Sequence, residues 1–412
     1  MARAGQPSSE ASEDGFFLDA LTGMSASRRG LYVHFPWCLA KCPYCDFAVS
    51  VSKEIPSARY TAALLQELAL RLASSASFST EPLGSIYLGG GTPSLWAPSE
   101  VGAFLHAVES CLALRPGAEV TLEANPEVAD AARLQGFRAA GVNRLSLGVQ
   151  SFDAKLLRTL GRAHAPDDGR KAVAAARKAG FDNVSLDIIL GVQGQSLAAA
   201  VQDAEAAAEL APDHISAYVL TVERESLAEE TVFSRRLRTG ELELPPDGLV
   251  ADMVEAVTDV LGAAGLQRYE VSSYARPDKH SRHNALYWTC GEYLGLGAGA
   301  TGFWRTEGGG VRTSGHRSTE RWFAEVEAGR LPEAERELLG PRELFGERLM
   351  LGLRFTSGLD VERLVQAFGE ASRTERLLML QAQGLGERTA DGRFRLTRRG
   401  LLLHSDVCAR LL

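Results

Sequence analysis

The sequence predicts an α/β fold, a partial (β/α)6 barrel of the TIM-like kind followed by a small C-terminal winged-helix-like α+β domain. Two observations carry this. Between residues 30 and 275, six short β-rich runs, apolar on both faces or nearly so, alternate with amphipathic stretches, as parallel strands covered by helices do. After a Gly-rich stretch at 295–315 that alternation stops. No G-x-G-x-x-G follows the first run, which weakens an open dinucleotide-binding sheet and favours a barrel, with its site at the C-terminal strand ends.

The expected strands are GLYVHF (30–35), SIYLGG (85–90), EVTLEA (119–124), NRLSLGV (143–149), NVSLDIIL (183–190) and HISAYVL (214–220). Between them, helices are expected over 60–73, 99–114, 130–141, 167–180 and 196–210. Several begin after Pro, Ser or Asp and end near Gly, where helix start and stop signals belong. Residues 1–28 read as a polar, mobile tail, 29–275 as the barrel and 276–340 as a connecting segment. In 341–412, three helices (about 342–353, 359–368 and 372–384), a strand pair around GERTADGRFRLT and a final helix suggest the winged-helix-like module.

The 412 residues carry a net charge of −8, with 45% hydrophobic and 23% charged residues. This is a globular composition with no electrostatic footprint for nucleic acid. The C-terminal module is therefore expected to pack or dock a partner, not to bind DNA. No apolar run reaches membrane-spanning length, and the patch Phe16–Leu21 is short and broken by Asp19, unlike a secretory signal. Six cysteines in so long a chain argue against a disulfide framework. A cytoplasmic location is expected, with peripheral membrane contact and homodimerisation left open.

HFPWCLAKCPYCDF (34–47) gathers Cys38, Cys42 and Cys45 as C-x-x-x-C-x-x-C. A closed zinc site would need a fourth ligand from elsewhere, and a redox dithiol would leave one thiol unused. A 4Fe–4S cube held by three thiolates keeps one iron open for another ligand. Spacing favours the cluster and leaves zinc in play. LGGGTPS (88–94) follows a strand directly, and its glycines allow close backbone approach with N–H and carbonyl groups free for a ligand. LEANPE, RLSLGVQSFD, LRTLGRAH and SLDIILG place Glu123, Gln150, Arg162 and Asp187 at or beyond strand ends. Such groups suit a polar barrel mouth better than a dry core. A mutual Glu123–Arg162 ion pair is the structural alternative.

The cysteine pattern resembles that of the radical S-adenosylmethionine (SAM) superfamily. In order and spacing the segments from Leu31 to about Phe303 resemble its coproporphyrinogen III oxidase-like branch. The resemblance implies a 4Fe–4S cluster on Cys38, Cys42 and Cys45, with SAM on the open iron through its amino and carboxylate groups. It assigns Tyr32, Gly90 and Glu123 to the cluster-bound SAM. Tyr44, Gly91, Thr92, Gln150, Arg162 and Asp187 take further SAM-contacting positions.

Two features point within the branch to HemW-type haem chaperones. Phe47 stands where the oxidases carry an extra cysteine, and HSRHNALYW (280–288) contains H-N-x-x-Y-W. By resemblance His283, Asn284, Tyr287 and Trp288 handle haem as cargo, the imidazole offering a nitrogen to iron and the two rings a flat apolar surface. A haem-accepting protein and an electron donor are implied. HFPWC for the commoner HIPFC, Gln193 for proline, and Thr301–Gly302 for His-Ser depart from the pattern. The readings to separate are a haem chaperone, an oxygen-independent coproporphyrinogen III oxidase and a zinc-stabilised barrel.

Overall fold

The structure, a computed structural model, describes residues 29–74, 78, 81–222, 230–368 and 373–412. The expected tail at 1–28 lies outside them. All six expected strands form: β1 (Arg29–Phe35), β2 (Leu83–Gly90), β3 (Leu114–Ala124), β4 (Arg144–Gln150), β5 (Val184–Leu190) and β6 (His214–Val219). They lie side by side in chain order and pair in parallel. The expected helices fall at Ser57–Ser74, Pro98–Cys111, Ala131–Ala139, Pro166–Lys178 and Leu197–Glu209.

The strands are less apolar than the sequence suggested. Residues alternate strictly, as a pleated strand requires. Leu31, Val33 and Phe35 of β1, Ile86 and Leu88 of β2, Leu145, Leu147 and Val149 of β4 and Leu186 and Ile188 of β5 join the main apolar core with Leu64, Phe104, Phe137 and Ala176 of the helices. The other face turns inward and is polar: Tyr87, Glu123, Arg144, Ser146, Asp187 and Ser216 line a lumen. Short runs read by composition hid this alternation because Gly, Ser and Tyr stood at the inward positions.

Among the described residues the sheet does not close into a barrel. A further strand, β7 (Glu292–Leu296), pairs in parallel with the free side of β1. Thr301–Thr306, Gly309–Gly315 and Glu333–Leu339 extend that end antiparallel, and Ser273–Ala275 with Gln267–Arg268 extend the other, giving a 12-stranded open sheet. Segment 276–340 thus builds four strands onto the sheet. Its Gly-rich look has a steric reason: a Cβ on Gly295 would collide with the Thr301 backbone across the β7 turn.

The C-terminal helices run Pro341–Gly352, Val361–Phe368 and Arg373–Ala382, with strands Gly386–Arg388 and Phe394–Leu396. The expected last helix is two, Arg398–Leu402 and His404–Leu411. Phe345, Leu349, Leu364, Phe394 and Val407 give this module its own core. It docks through Arg354, which donates to the buried Glu270 at 2.8 and 3.1 Å and lies 4.0 Å over the Trp288 ring. A cation held over an indole and paired with a buried carboxylate is a strong local anchor.

Candidate functional site

Two cavities flank the cysteine loop. The first, about 450 Å³, lies at the C-terminal end of β2–β6 and is lined by Cys38, Cys42, Tyr44, Cys45, Gly90, Gly91, Thr92, Glu123, Gln150, Arg162 and Asp187. The structure therefore brings together every residue expected at the cluster and SAM, except Tyr32. The three cysteines are free and part-buried. Among the described residues no three His, Cys, Asp or Glu side chains converge on a single-ion site.

The loop is held by its neighbours. Cys45 N–H donates to the Cys42 carbonyl at 3.1 Å, and Phe233 N–H to the Pro43 carbonyl at 2.9 Å. Gly161, in the left-handed region at φ 68°, leaves room for Pro43, whose Cδ would lie 2.6 Å from a Cβ there. Thr92 Oγ1 lies 3.5 Å from Cys38 Sγ and Arg162 Nη1 3.7 Å from Cys42 Sγ. Arg162 Nη2 donates to Asn125 Oδ1 at 2.6 Å and to the Gly148 carbonyl at 3.0 Å, while its buried Nε meets no partner. A guanidinium with an unused donor beside three thiols fits an anionic thiolate-ligated cluster with an anionic ligand. Burial pushes the Cys38 thiol up to about 11.

The Gly-rich turn corrects one expectation. Its N–H groups are not free: Gly90 N donates to Glu123 Oε2 at 3.1 Å, Gly91 N to the Phe35 carbonyl at 2.7 Å and Thr92 N to the Trp37 carbonyl at 2.8 Å. A Cβ on Gly91 would stand 2.5 Å from the Trp37 oxygen. Gly91 is therefore required for the turn to press against β1.

Glu123 and Arg162 do not pair. Glu123 also accepts from Tyr87 Oη at 2.7 Å, and burial raises its pKa to about 7. Burial likewise raises Asp187 to about 6, opposed by hydrogen bonds from Ser216 and Ser146, the latter at 3.2 Å. Two carboxyls poised near neutrality in a concave pocket mark a binding site. Gln150 adds strain: at φ 68° it is one of four non-glycine residues in the left-handed region among those described, at an irregular step in the β4–β5 pairing. Such a backbone costs about 1–3 kcal/mol, and it ends β4 at the cavity rim.

The second cavity, about 500 Å³, is lined by Tyr32, His34, Phe47, Tyr287, Trp288, Tyr293, Phe303, Arg312, Arg317, Glu347 and Met350. Phe47, half exposed, lines both cavities. Tyr32 lines this cavity, its hydroxyl 2.9 Å from His34 Nδ1, while its ring stacks on Tyr87 of the first. Glu347 and Met350 come from the first helix of the C-terminal module.

The H-N-x-x-Y-W segment forms the helix Arg282–Trp288, capped by Ser281. Tyr287 and Trp288 line the second cavity, whereas Asn284 lines the first. His283 is fully buried, with Nδ1 2.8 Å from Ser85 Oγ and Nε2 2.8 Å from Tyr287 Oη. Burial lowers its pKa to about 3. Both ring nitrogens are thus engaged in hydrogen bonds, and His283 braces Tyr287 against β2.

The sequence reading missed Arg144, Ser146, Ser216 and Tyr218, which form the floor of the first cavity. Period-two counting back from Gln150 through Gly148 and Ser146 to Arg144 would have found half of them.

Residues 32–207 match the model of the Radical SAM superfamily, and 339–403 that of the HemN C-terminal domain. The haem chaperone HemW of Mycobacterium tuberculosis is 38% identical over 399 residues, covering 96% of this chain and 97% of the relative. HemW of Escherichia coli is 38% identical over 309 residues, 75% and 78% of the two chains. The mitochondrial radical S-adenosyl methionine domain-containing protein 1 of Bos taurus is 38% identical over 324 residues, 76% and 72%. Among solved structures, coproporphyrinogen III oxidase (HemN) from Escherichia coli superposes with a TM-score of 0.77 at 21% identity, covering 96% and 92%. That likeness shows the fold.

Proposed function

The chain belongs to the HemW family of the radical SAM superfamily, and from that premise we propose that it is a haem chaperone. Cys38, Cys42 and Cys45 hold a 4Fe–4S cluster. Gly90, Gly91, Thr92, Glu123, Gln150, Arg162 and Asp187 bind SAM in the first cavity. When bound, the cluster and SAM supply one-electron reductive chemistry. The chain's own contribution is to position them: Arg162 neutralises charge beside Cys42, and Glu123 and Asp187 offer acceptors to ligand hydroxyl or amino groups.

The observation that carries the haem reading is the second cavity against the cluster loop. It offers aromatic walls from Tyr287, Trp288, Tyr293 and Phe303 and a cation from Arg317, whereas Arg312 is ion-paired with Glu337 and Glu347. Flat rings with a cationic rim suit a planar macrocycle bearing carboxylates. The haem is passed on to an acceptor protein. In the reading that competes, the branch's oxidase chemistry, a porphyrinogen would be decarboxylated. Phe47 at the wall shared by the cavities favours the carrier.

Anaerobic reconstitution followed by haem titration and a coproporphyrinogen turnover assay decides between them. Saturable haem binding with no protoporphyrinogen formed is the expected result. Robust conversion of coproporphyrinogen would replace the chaperone by the oxidase.

A further inference from the structure

Asp203 stands in the middle of the helix Leu197–Glu209, on the face where Ala200, Ala204 and Ala207 pack into the main core. It is 2% exposed and does not line the first cavity. A carboxyl group set in an alanine stripe is costly unless its oxygens are used. Both are used. Oδ2 accepts from the buried Ser151 hydroxyl and Oδ1 from the Phe152 N–H, each at 2.7 Å. Ser151 Oγ in turn accepts from the Asp153 N–H at 3.0 Å. Both bonds to Asp203 thus leave its helix and end on the chain just past Gln150.

That chain is under tension. Ser151 N–H donates to the Val149 carbonyl at 2.9 Å, closing a three-residue turn around Gln150 at φ 68°. A γ-turn with positive φ at its centre is the rare and strained hand. Such a backbone persists only where its surroundings over-determine it. Upstream, Arg162 Nη2 donates to the Gly148 carbonyl and His164 Nε2 lies 3.0 Å from the Val149 carbonyl. Downstream, Asp203 holds the two residues that follow. We infer that Asp203 is a positioning residue for SAM: it clamps this turn so that Gln150 is presented at the rim of the first cavity. The inference rests on the reading that Gln150 contacts SAM. With the clamp open the turn relaxes, and only the fraction of molecules that keeps it binds fully.

The test uses anaerobic, cluster-loaded full-length protein and equilibrium dialysis against SAM. Asp203→Asn keeps the volume of the side chain but offers one acceptor oxygen in place of two. It is expected to weaken SAM about three- to tenfold, as the competent turn falls to a fraction of the population, with the iron content of the cluster unchanged. Ser151→Ala removes one of the two bonds and should weaken SAM less. It carries the same comparison if Asp203→Asn does not fold. Gln150→Gly supplies the decisive background. Glycine takes positive φ without strain and has no side chain to present, so adding either clamp variant to it should lower SAM affinity no further. A residue that only stabilised the fold would lower the unfolding midpoint in both backgrounds and leave the SAM affinity of the folded protein unchanged.

Parent-like SAM affinity in the clamp variants, with Gln150→Gly weakened, would overturn the inference and leave Gln150 as a SAM contact. Equal losses from Asp203→Asn in the parent and in Gln150→Gly would also overturn it, because the effect would then bypass Gln150. Parent-like SAM affinity in Gln150→Gly itself would remove the reading of Gln150 as a SAM contact, and the role of Asp203 with it.

Discussion

The two cavities beside the cysteine loop are built from opposite materials. The first is lined by thiols, carboxyls and guanidinium groups set on strand ends. The second is walled mainly by rings and bridges three parts of the chain: the sheet, the helix Arg282–Trp288 and the first helix of the C-terminal module. That one helix serves both. Four residues advance about 6 Å along a helix axis, enough to put Asn284 at one cavity and Trp288 at the other. A contiguous motif need not be a contiguous site.

The most severe way to break the contrast is at the thiols. Cys38→Ala, Cys42→Ala or Cys45→Ala should abolish the iron–sulfur chromophore after anaerobic reconstitution while the fold persists, because the core of the sheet lies away from the loop. Haem titration of the same variants should still saturate. Loss of haem binding in all three would merge the two cavities into one site.

Next comes His283→Ala. It strips partners from Ser85 and Tyr287 and opens a buried gap, which costs about 2–4 kcal/mol. Denaturant unfolding should report that loss, and the Soret maximum of bound haem should not move. A shifted Soret band would make the imidazole an iron ligand.

Asp187→Ala should weaken SAM binding about tenfold or more with haem affinity unchanged. Trp288→Ala should do the reverse, lowering haem affinity by about five- to tenfold and sparing SAM. Equilibrium dialysis against each ligand reads both. Equal effects on both ligands from either variant would remove the division of labour.

The smallest effect is in pH. Glu123, flanked by Tyr87, Asp187, Arg144 and the Gly90 N–H, holds its proton to about 7 in the folded chain against an ordinary 4.5. Folding thus favours the protonated acid, so stability from this group falls as pH rises from about 4.5 to 7 and levels off above. A ligand that needs the carboxylate binds more tightly as pH climbs through 7, by about tenfold between pH 6 and 8. Glu123→Gln should flatten both profiles. Unchanged profiles would mean that Glu123 is not the group titrated.

The sequence disclosed most where the chain is regular. Six strands and the helices between them followed from β-branched and leucine-rich runs punctuated by glycine, and the gathering of Cys38, Cys42 and Cys45 at one cavity from their closeness in sequence. It disclosed least where meaning depends on what lies opposite. Nothing beside His283 in the sequence announces Ser85, 198 residues away yet 2.8 Å from its ring. Tyr32 sits on the same strand as Leu31 and Phe35, and only the placement of Tyr287 and Tyr293 shows which cavity it faces. The strand Glu292–Leu296 was masked by Gly295, whose missing Cβ lets the Thr301 backbone approach, and by Gly297, which at φ 96° turns the chain as the strand ends.

Phe47 belongs to both cavities, and this constrains how the protein can change over evolutionary time. A substitution there alters the two walls in one step, so its effect cannot add independently to changes on either side. Improving the fit of one occupant risks the other. Lineages that exchange carrier for catalyst, or the reverse, would have to cross this position together with its neighbours. Chimeras that swap residue 47 alone should therefore be poor at both tasks.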